Sequence, residues 1–255
     1  MRVLVEGSGG SAGWPAPGCR CASCLRQAAA GNMRARSSIV VDGRLRLAAG
    51  DPAGVPGYQV RRLGDAGWDV TAPDGGRLLY PAGPGAAPAP PEGSAPYDVA
   101  FLDLLGDPAQ LGWLRARGLI TTGTVTAVAF ADHRVPSERE LARRCGFWRV
   151  RPAGDGEAID PVRSVPKDRD FAAGTRRVLV LGGARSGKSE RAELRLAGEP
   201  QVTYVATGNR GRTIRTGRRG WRPTGRGGRP GGGRRRPPTW RACSEPTTGP
   251  PAGRC

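Results

Sequence analysis

Val178-Leu179-Val180-Leu181-Gly182-Gly183-Ala184-Arg185-Ser186-Gly187-Lys188-Ser189 is the most specific stretch in the chain. Arg177–Leu181 is a continuous apolar run of the kind found in buried parallel strands, and it leads directly into G-x-x-x-x-G-K-[ST] with every fixed position filled. Lys188–Ala197 then has helical spacing through Ala192, Leu194 and Leu196, Gly198 stops it, and Val202–Ala206 supplies another strand. Strand, glycine-rich turn and helix together spell a phosphate-binding loop. The glycines let backbone N–H groups turn towards phosphate oxygens, and the helix N-terminus adds partial positive charge. Gly182, Gly183, Ala184, Arg185, Ser186 and Gly187 form the cradle, Lys188 reaches the β- and γ-phosphates, and Ser189 supplies a Mg²⁺ ligand. The alternative is a strand-to-helix turn with no ligand, which the flanking elements disfavour.

The residues filling the loop narrow the reading. Val178–Glu193 followed by Val-Thr-Tyr-Val-Ala-Thr-Gly (202–208) resembles the N-terminus of the bifunctional adenosylcobinamide kinase/adenosylcobinamide-phosphate guanylyltransferase family of cobalamin biosynthesis. The resemblance implies a kinase that uses ATP or GTP with Mg²⁺ to phosphorylate the aminopropanol hydroxyl of adenosylcobinamide. It also implies GMP transfer from GTP through a covalent histidine. That histidine precedes an Arg-Arg-Pro-x-x-Trp stretch in the family. Arg235-Arg236-Pro237-Pro238-Thr239-Trp240 is present here, but no histidine follows His133 and no strand ending in an acidic residue offers a Walker B. The chain therefore reads as an incomplete P-loop unit whose kinase activity is impaired, and no catalytic residue is assigned.

Outward from the loop, composition divides the chain. Of 44 Leu, Ile, Val and Phe residues among 255, only Ile214 lies beyond position 208, so the last 47 residues cannot build a core. The net charge of +18 is concentrated there too, +12 after position 208 against +6 before it. Arg outnumbers Lys 38 to 2, a bias towards GC-rich codons that weakens a composition argument for nucleic-acid binding. The tail admits two readings, an RGG-like RNA ligand or a solvated end, and the second is favoured. Cys243 and Cys255 within it have no companion site and read as free thiols. No apolar run is long enough to span a bilayer and no signal-peptide core develops after Met1–Val5, so the expectation is a cytoplasmic protein without a membrane partner.

Towards the N-terminus, Met1–Val5 reads as a strand entering the turn Glu6–Gly13. Ser37–Asp42 with Arg44–Ala48, and Trp68–Ala72 with Arg77–Tyr80, read as hairpins. After a Pro/Ala/Gly loop at 81–96, Tyr97–Leu105 and Val125–Phe130 are strand candidates; Pro108–Arg117 and Ser137–Cys145 are helices, the latter with a Ser137/Glu140 capping box. Cys19-Arg20-Cys21-Ala22-Ser23-Cys24 places three thiols close enough for one tetrahedral ion, with Zn²⁺ the usual choice; a redox or merely packed cysteine cluster is the alternative. Cys145, on a helical pattern beside Phe147, reads as core.

This segment resembles metallo-β-lactamase-fold hydrolases, in particular the phosphodiesterases of phosphonate breakdown, with further similarity at Ser38–Gly50, Val70–Tyr80 and Val125–Arg134. That family binds catalytic metals through a His-x-His-x-Asp-His cluster, which a chain with one histidine cannot supply. Phe130 and Gly83 stand where a metal-binding His and Asp belong, and the chain is shortened between about Gly50 and Gln59. Where the family's last strand carries His-x-x-His, this chain reads Phe130-Ala131-Asp132-His133. The resemblance thus implies that the catalytic ligand is lost while His133 completes a structural zinc site with Cys19, Cys21 and Cys24.

The expected architecture is α/β. A degenerate metallo-β-lactamase-like domain (1–160) is followed by a linker (161–175), an incomplete P-loop unit (176–208) and a disordered basic tail (209–255). The expected activity is the cobinamide kinase; the alternative is a non-catalytic, zinc-stabilised scaffold with a nucleotide-binding remnant. The abrupt loss of Leu, Val and acidic residues after about Asn209 is what out-of-phase reading of GC-rich codons produces. Translation of the other two forward frames from codon 209 is expected to recover a His before Arg-Arg-Pro-x-x-Trp and then a Walker B strand. If neither frame yields one, the tail is genuine.

Overall fold

The structure, a computed structural model, describes residues 1–48, 50–161, 177–204 and 240–242. Packing divides the chain into two units, Met1–Pro200 and Gln201–Cys255. In chain order the first unit carries β1 (Val3–Gly7), α1 (Ala22–Ala29), β2 (Ser38–Val41), β3 (Leu45–Leu47), β4 (Gln59–Arg62), β5 (Gly67–Thr71), β6 (Arg77–Pro81) and β7 (Val99–Leu102). It continues with α2 (Ala109–Ala116), β8 (Val125–Val128), α3 (Glu138–Trp148), β9 (Arg151–Pro152), β10 (Ala158–Ile159) and α4 (Lys188–Leu196).

Two sheets result, both mixed with helices into an α/β fold. One is antiparallel in the order β10-β1-β2-β3; the other runs β4-β5-β6-β7-β8-β9, antiparallel from β4 to β6 and parallel from β6 to β9. The six-stranded sheet is the middle layer. Because strand side chains alternate, Val99 and Phe101 of β7 join Val3, Val5, Ile39 and Ile159 in a core between the sheets. Ala100 and Leu102 point the other way, into a core closed by Leu111 and Leu114 of α2 and Leu141, Cys145 and Trp148 of α3. Burial on both faces explains why β7 and β8 are apolar throughout, while β1 alternates, with Leu4 facing solvent.

Local sequence accounts for most element ends. The Ser137 hydroxyl accepts the Glu140 N–H at 3.3 Å, capping α3, and Glu138 and Glu140 in the first turn oppose the helix dipole. Both expected hairpins form, the first turning at Asp42-Gly43 with both residues at positive φ. The helix expected over Ser137–Cys145 continues to Trp148 and ends where Arg149 adopts a left-handed conformation. The expected strands Tyr97–Leu105 and Val125–Phe130 shorten to β7 and β8. In the first unit four elements are additions to those expected: α1, which starts within the cysteine knot, the exposed edge strand β4, and the two-residue strands β9 and β10.

The larger correction concerns Arg177–Leu181, expected as a buried parallel strand. The segment forms no strand, and Val178, Leu179 and Leu181 are exposed, Leu179 by 81%. A strand exists only with a partner for its N–H and C=O groups, and no described residue offers 177–181 a ladder. The helix after it does form, as α4. In the second unit, β11 (Val202–Tyr204) pairs in parallel with β12 (Trp240–Ala242), so the stretch expected to be disordered contains a strand at the end of the Arg-Arg-Pro-x-x-Trp motif. The remainder of the tail, with Cys243 and Cys255, lies outside the described residues, as does most of the expected linker at 161–175. Among the described residues no helix is long and apolar enough to cross a membrane.

Because Phe101 fills the centre of the inter-sheet core, edge-on to Tyr80 at 5.7 Å, Phe101→Ala is expected to cost about 3–5 kcal/mol in urea unfolding. Leu4→Ala, on the bare face of the outer sheet, is expected to stay within about 0.5 kcal/mol. Equal losses would contradict the layer assignment.

Candidate metal centre and phosphate loop

The turn following β1 delivers the cysteines to the ends of β7 and β8. Trp14 is fully buried and its indole N–H donates to the Ser23 hydroxyl at 3.2 Å; Ser23 in turn donates to the Val135 carbonyl at 2.7 Å. That bridge ties the start of α1 to the loop after β8. Within the knot, Cys21 is the helix N-cap, and the Cys24 backbone N–H donates to its sulfur at 3.4 Å. The x-x spacing between Cys21 and Cys24 therefore matches the first helical turn, which places both sulfurs on one side. Cys19 precedes them by two residues, and His133 arrives from the opposite loop with Nδ1 3.9 Å from the Cys24 sulfur.

One ligand atom each from Cys19, Cys21, Cys24 and His133 lies within 4.8 Å of all the others. Zinc bonds of about 2.3 Å to sulfur and about 2.0–2.1 Å to nitrogen would set tetrahedral ligand atoms roughly 3.5–3.8 Å apart, so small side-chain rotations suffice. Three sulfurs and one imidazole are a donor set that zinc accepts, and the residues present fit the ion. Cys24 is buried while Cys21 and His133 are exposed, giving the cluster an open side. The environment separates the thiols. The Cys24 N–H holds the Cys21 thiol below its ordinary pKa, whereas burial pushes Cys24 up to about 11. Cys145 lies elsewhere, 1% exposed in the helix-side core, where burial pushes its thiol up to about 12.

Phe130 and Gly83, which the resemblance aligns with a metal-binding His and Asp, offer no side-chain ligand atom. Phe130 is buried at a positive φ of 55°, its ring 6.3 Å from Tyr80 and its carbonyl accepting from the Arg134 guanidinium at 3.0 Å. Gly83 stands in open space. The chain's single histidine lies in the cysteine cluster. An acidic depression lined by Asp42, Asp74, Asp98 and Asp160 opens beside Met1; Asp74 pairs with the N-terminal ammonium, and Asp98 accepts the Arg77 N–H.

The second candidate site is the exposed loop before α4. Gly187 caps the helix at φ 79°, Arg185 sits at φ 61°, and a Cβ on Gly182 would lie 2.3 Å from the Ser186 hydroxyl oxygen, so a larger residue there would have to turn the Ser186 side chain away. Lys188 folds back to donate to the Gly183 carbonyl at 3.0 Å, which places its ammonium over the loop. Ser189 is exposed in the first turn. The loop and helix of the motif are thus formed without the strand. Within the first unit α4 packs on α2 and α3: the Trp148 indole donates to the Leu194 carbonyl at 2.8 Å, Arg115 donates to the Gly198 carbonyl at 2.6 Å, and the Arg195 guanidinium lies 4.2 Å from the Phe147 ring centre.

Residues 178–213 match the family model of cobinamide kinase / cobinamide phosphate guanyltransferase. No curated protein gives a significant match. Among solved structures, Zn²⁺-bound PqqB from Methylobacterium extorquens is similar with a TM-score of 0.40 and 15% identity, over 63% of this chain and 100% of that one.

In the metal-free protein, iodoacetamide is expected to label Cys21 first near pH 7–8. Cys24 is expected to resist until the pH approaches its raised value, because its neutral thiol is the form that burial favours. Peptide mapping by mass spectrometry over a pH series checks the order; Cys24 reacting ahead of Cys21 at neutral pH would contradict it.

Proposed function

We propose that this chain is a nucleotide-binding protein of cobalamin biosynthesis, descended from an adenosylcobinamide kinase/adenosylcobinamide-phosphate guanylyltransferase and impaired in phosphoryl and guanylyl transfer. The observation that carries this reading is the family match over 178–213, joined to a loop and helix that keep every fixed residue of the phosphate-binding motif. Gly182, Gly183, Ala184, Arg185, Ser186 and Gly187 surround the phosphates of ATP or GTP, Lys188 neutralises the β- and γ-phosphates, and Ser189 holds Mg²⁺. Bound Mg²⁺ supplies charge neutralisation for the phosphoryl group. Adenosylcobinamide is the acceptor substrate in this reading. Impairment of guanylyl transfer is supported by the absence of a histidine ahead of Arg235-Arg236-Pro237-Pro238-Thr239-Trp240.

The second reading is a non-catalytic scaffold: residues 1–160 as a metallo-β-lactamase-like domain without catalytic metals, 161–175 as linker, 176–208 as the nucleotide-binding remnant and 209–255 as a basic tail. It is favoured by two observations, the Cys19/Cys21/Cys24/His133 cluster and the docking of α4 on Phe147 and Trp148. In it, zinc bound to the four residues adds folding free energy to a chain with a thin core.

Lys188→Ala is expected to abolish Mg²⁺–nucleotide binding measured by calorimetry on the full chain, with Ser189→Ala losing mainly the Mg²⁺ dependence. Equal affinity in wild type and Lys188→Ala would overturn the phosphate loop. Turnover of adenosylcobinamide separates the two readings: phosphorylation above background and sensitive to Lys188→Ala favours the kinase, and nucleotide binding without turnover favours the scaffold.

A further inference from the structure

We propose that Arg134 is the positioning residue of the metal centre, a built-in cation that clamps the loop carrying His133 so that the imidazole reaches the three thiols. The inference rests on the reading of Cys19, Cys21, Cys24 and His133 as a zinc site and extends it to residues no ligand pattern would select.

His133 has little to hold it by itself. Its side chain is exposed, and its ring nitrogen faces the Cys24 sulfur at 3.9 Å. Its neighbours on both sides are fixed by one guanidinium. Arg134 donates through Nη1 and Nη2 to the two oxygens of Asp103 at 2.7 and 2.9 Å, through Nε to Asp132 at 2.8 Å, and through Nη2 to the Phe130 carbonyl at 3.0 Å. Asp132 also accepts the Arg134 backbone N–H at 2.9 Å, and the Val135 N–H donates to the Asp132 carbonyl at 3.1 Å, which closes a turn around His133. Asp103, just beyond the end of β7, has a fully buried side chain and accepts the Gly85 N–H at 2.5 Å.

The chemistry requires this partner. A carboxylate buried at Asp103 is tolerated only when its charge is compensated and its lone pairs are filled, and a bidentate guanidinium does both. Since β7 is anchored in both cores, the ion pair transfers the rigidity of the central sheet to Asp132-His133-Arg134, the polar stretch between the buried Ala131 and Val135. Hydrogen bonds to a metal ligand orient it without touching the metal, and here the same task falls to contacts that fix the backbone on either side of His133.

The test uses the full chain loaded with Co²⁺, whose visible bands report the ligand set, and Zn²⁺ competition against a chromophoric chelator. Wild type is expected to give the spectrum of three thiolates and one imidazole, and His133→Ala that of three thiolates and a water. Arg134→Met is expected to resemble His133→Ala in its visible bands and to bind Zn²⁺ about 10–100-fold more weakly, with its thiolate charge-transfer intensity unchanged. Arg134→Lys, a point charge without the fork, is expected to restore part of the imidazole signature. Asp103→Asn, which keeps the volume and loses the charge, is expected to shift the same way by less; it decides the matter alone if Arg134→Met does not fold. A wild-type spectrum and affinity in folded Arg134→Met, or in Asp103→Asn where that variant decides, would overturn the positioning role while leaving the zinc site standing. Identical spectra for wild type and His133→Ala, or no Co²⁺ binding by wild type, would instead remove the zinc site itself.

Discussion

Burial of the six-stranded sheet on both faces is the constraint from which the rest of the first unit follows. Its strands must be apolar in both directions, so one face takes a second sheet and the other takes α2 and α3. Charged groups within it survive only when compensated: Asp69, 4% exposed, is paired with Arg77 at 2.8 Å and also with Arg61. Parallel pairing from β6 to β9 sends the loops after β7 and β8 to one end of the sheet, where the candidate metal centre is assembled.

Closure of the chain on itself brings the partners of that centre together. β1 pairs with β10 on one side and β2 on the other, so the first strand is held in the sheet before its glycine-rich turn crosses to the strand ends. Gly9 forms bridges to both Arg36 and Ala131, and a Cβ on it would lie 2.7 Å from the Ala35 carbonyl oxygen, so the turn fits only as glycine. Residues more than a hundred positions apart, Cys24 and His133, meet because three backbone segments meet first.

The helix after the glycine-rich loop illustrates the opposite situation. A helix entered from a strand through such a loop ordinarily packs on the sheet that the strand helps to build, and here that strand does not form. Leu194 and the carbonyls at its C-terminal end find partners on Trp148 and Arg115 instead, leaving the loop end exposed. The apolar side chains of Val178, Leu179 and Leu181 face solvent for the same reason.

The sequence by itself determined what short-range chemistry can specify. The hairpin at Asp42-Gly43, the Ser137 cap of α3, the glycine-rich loop running into a helix at Lys188, and three cysteines at one-ion spacing are all set by residues a few positions apart. The four-residue Cys/His cluster was legible through a resemblance rather than through spacing, because nothing local links His133 to Cys24. Tertiary structure alone decided the rest. It decided that α1 forms inside the knot, that Arg177–Leu181 is no strand despite its apolar run, and that Asp103 and Arg134 brace the loop around His133. A strand depends on a neighbour that can lie anywhere in the chain, and a buried ion pair on two surfaces that meet only after folding, so neither leaves a periodic trace in the sequence.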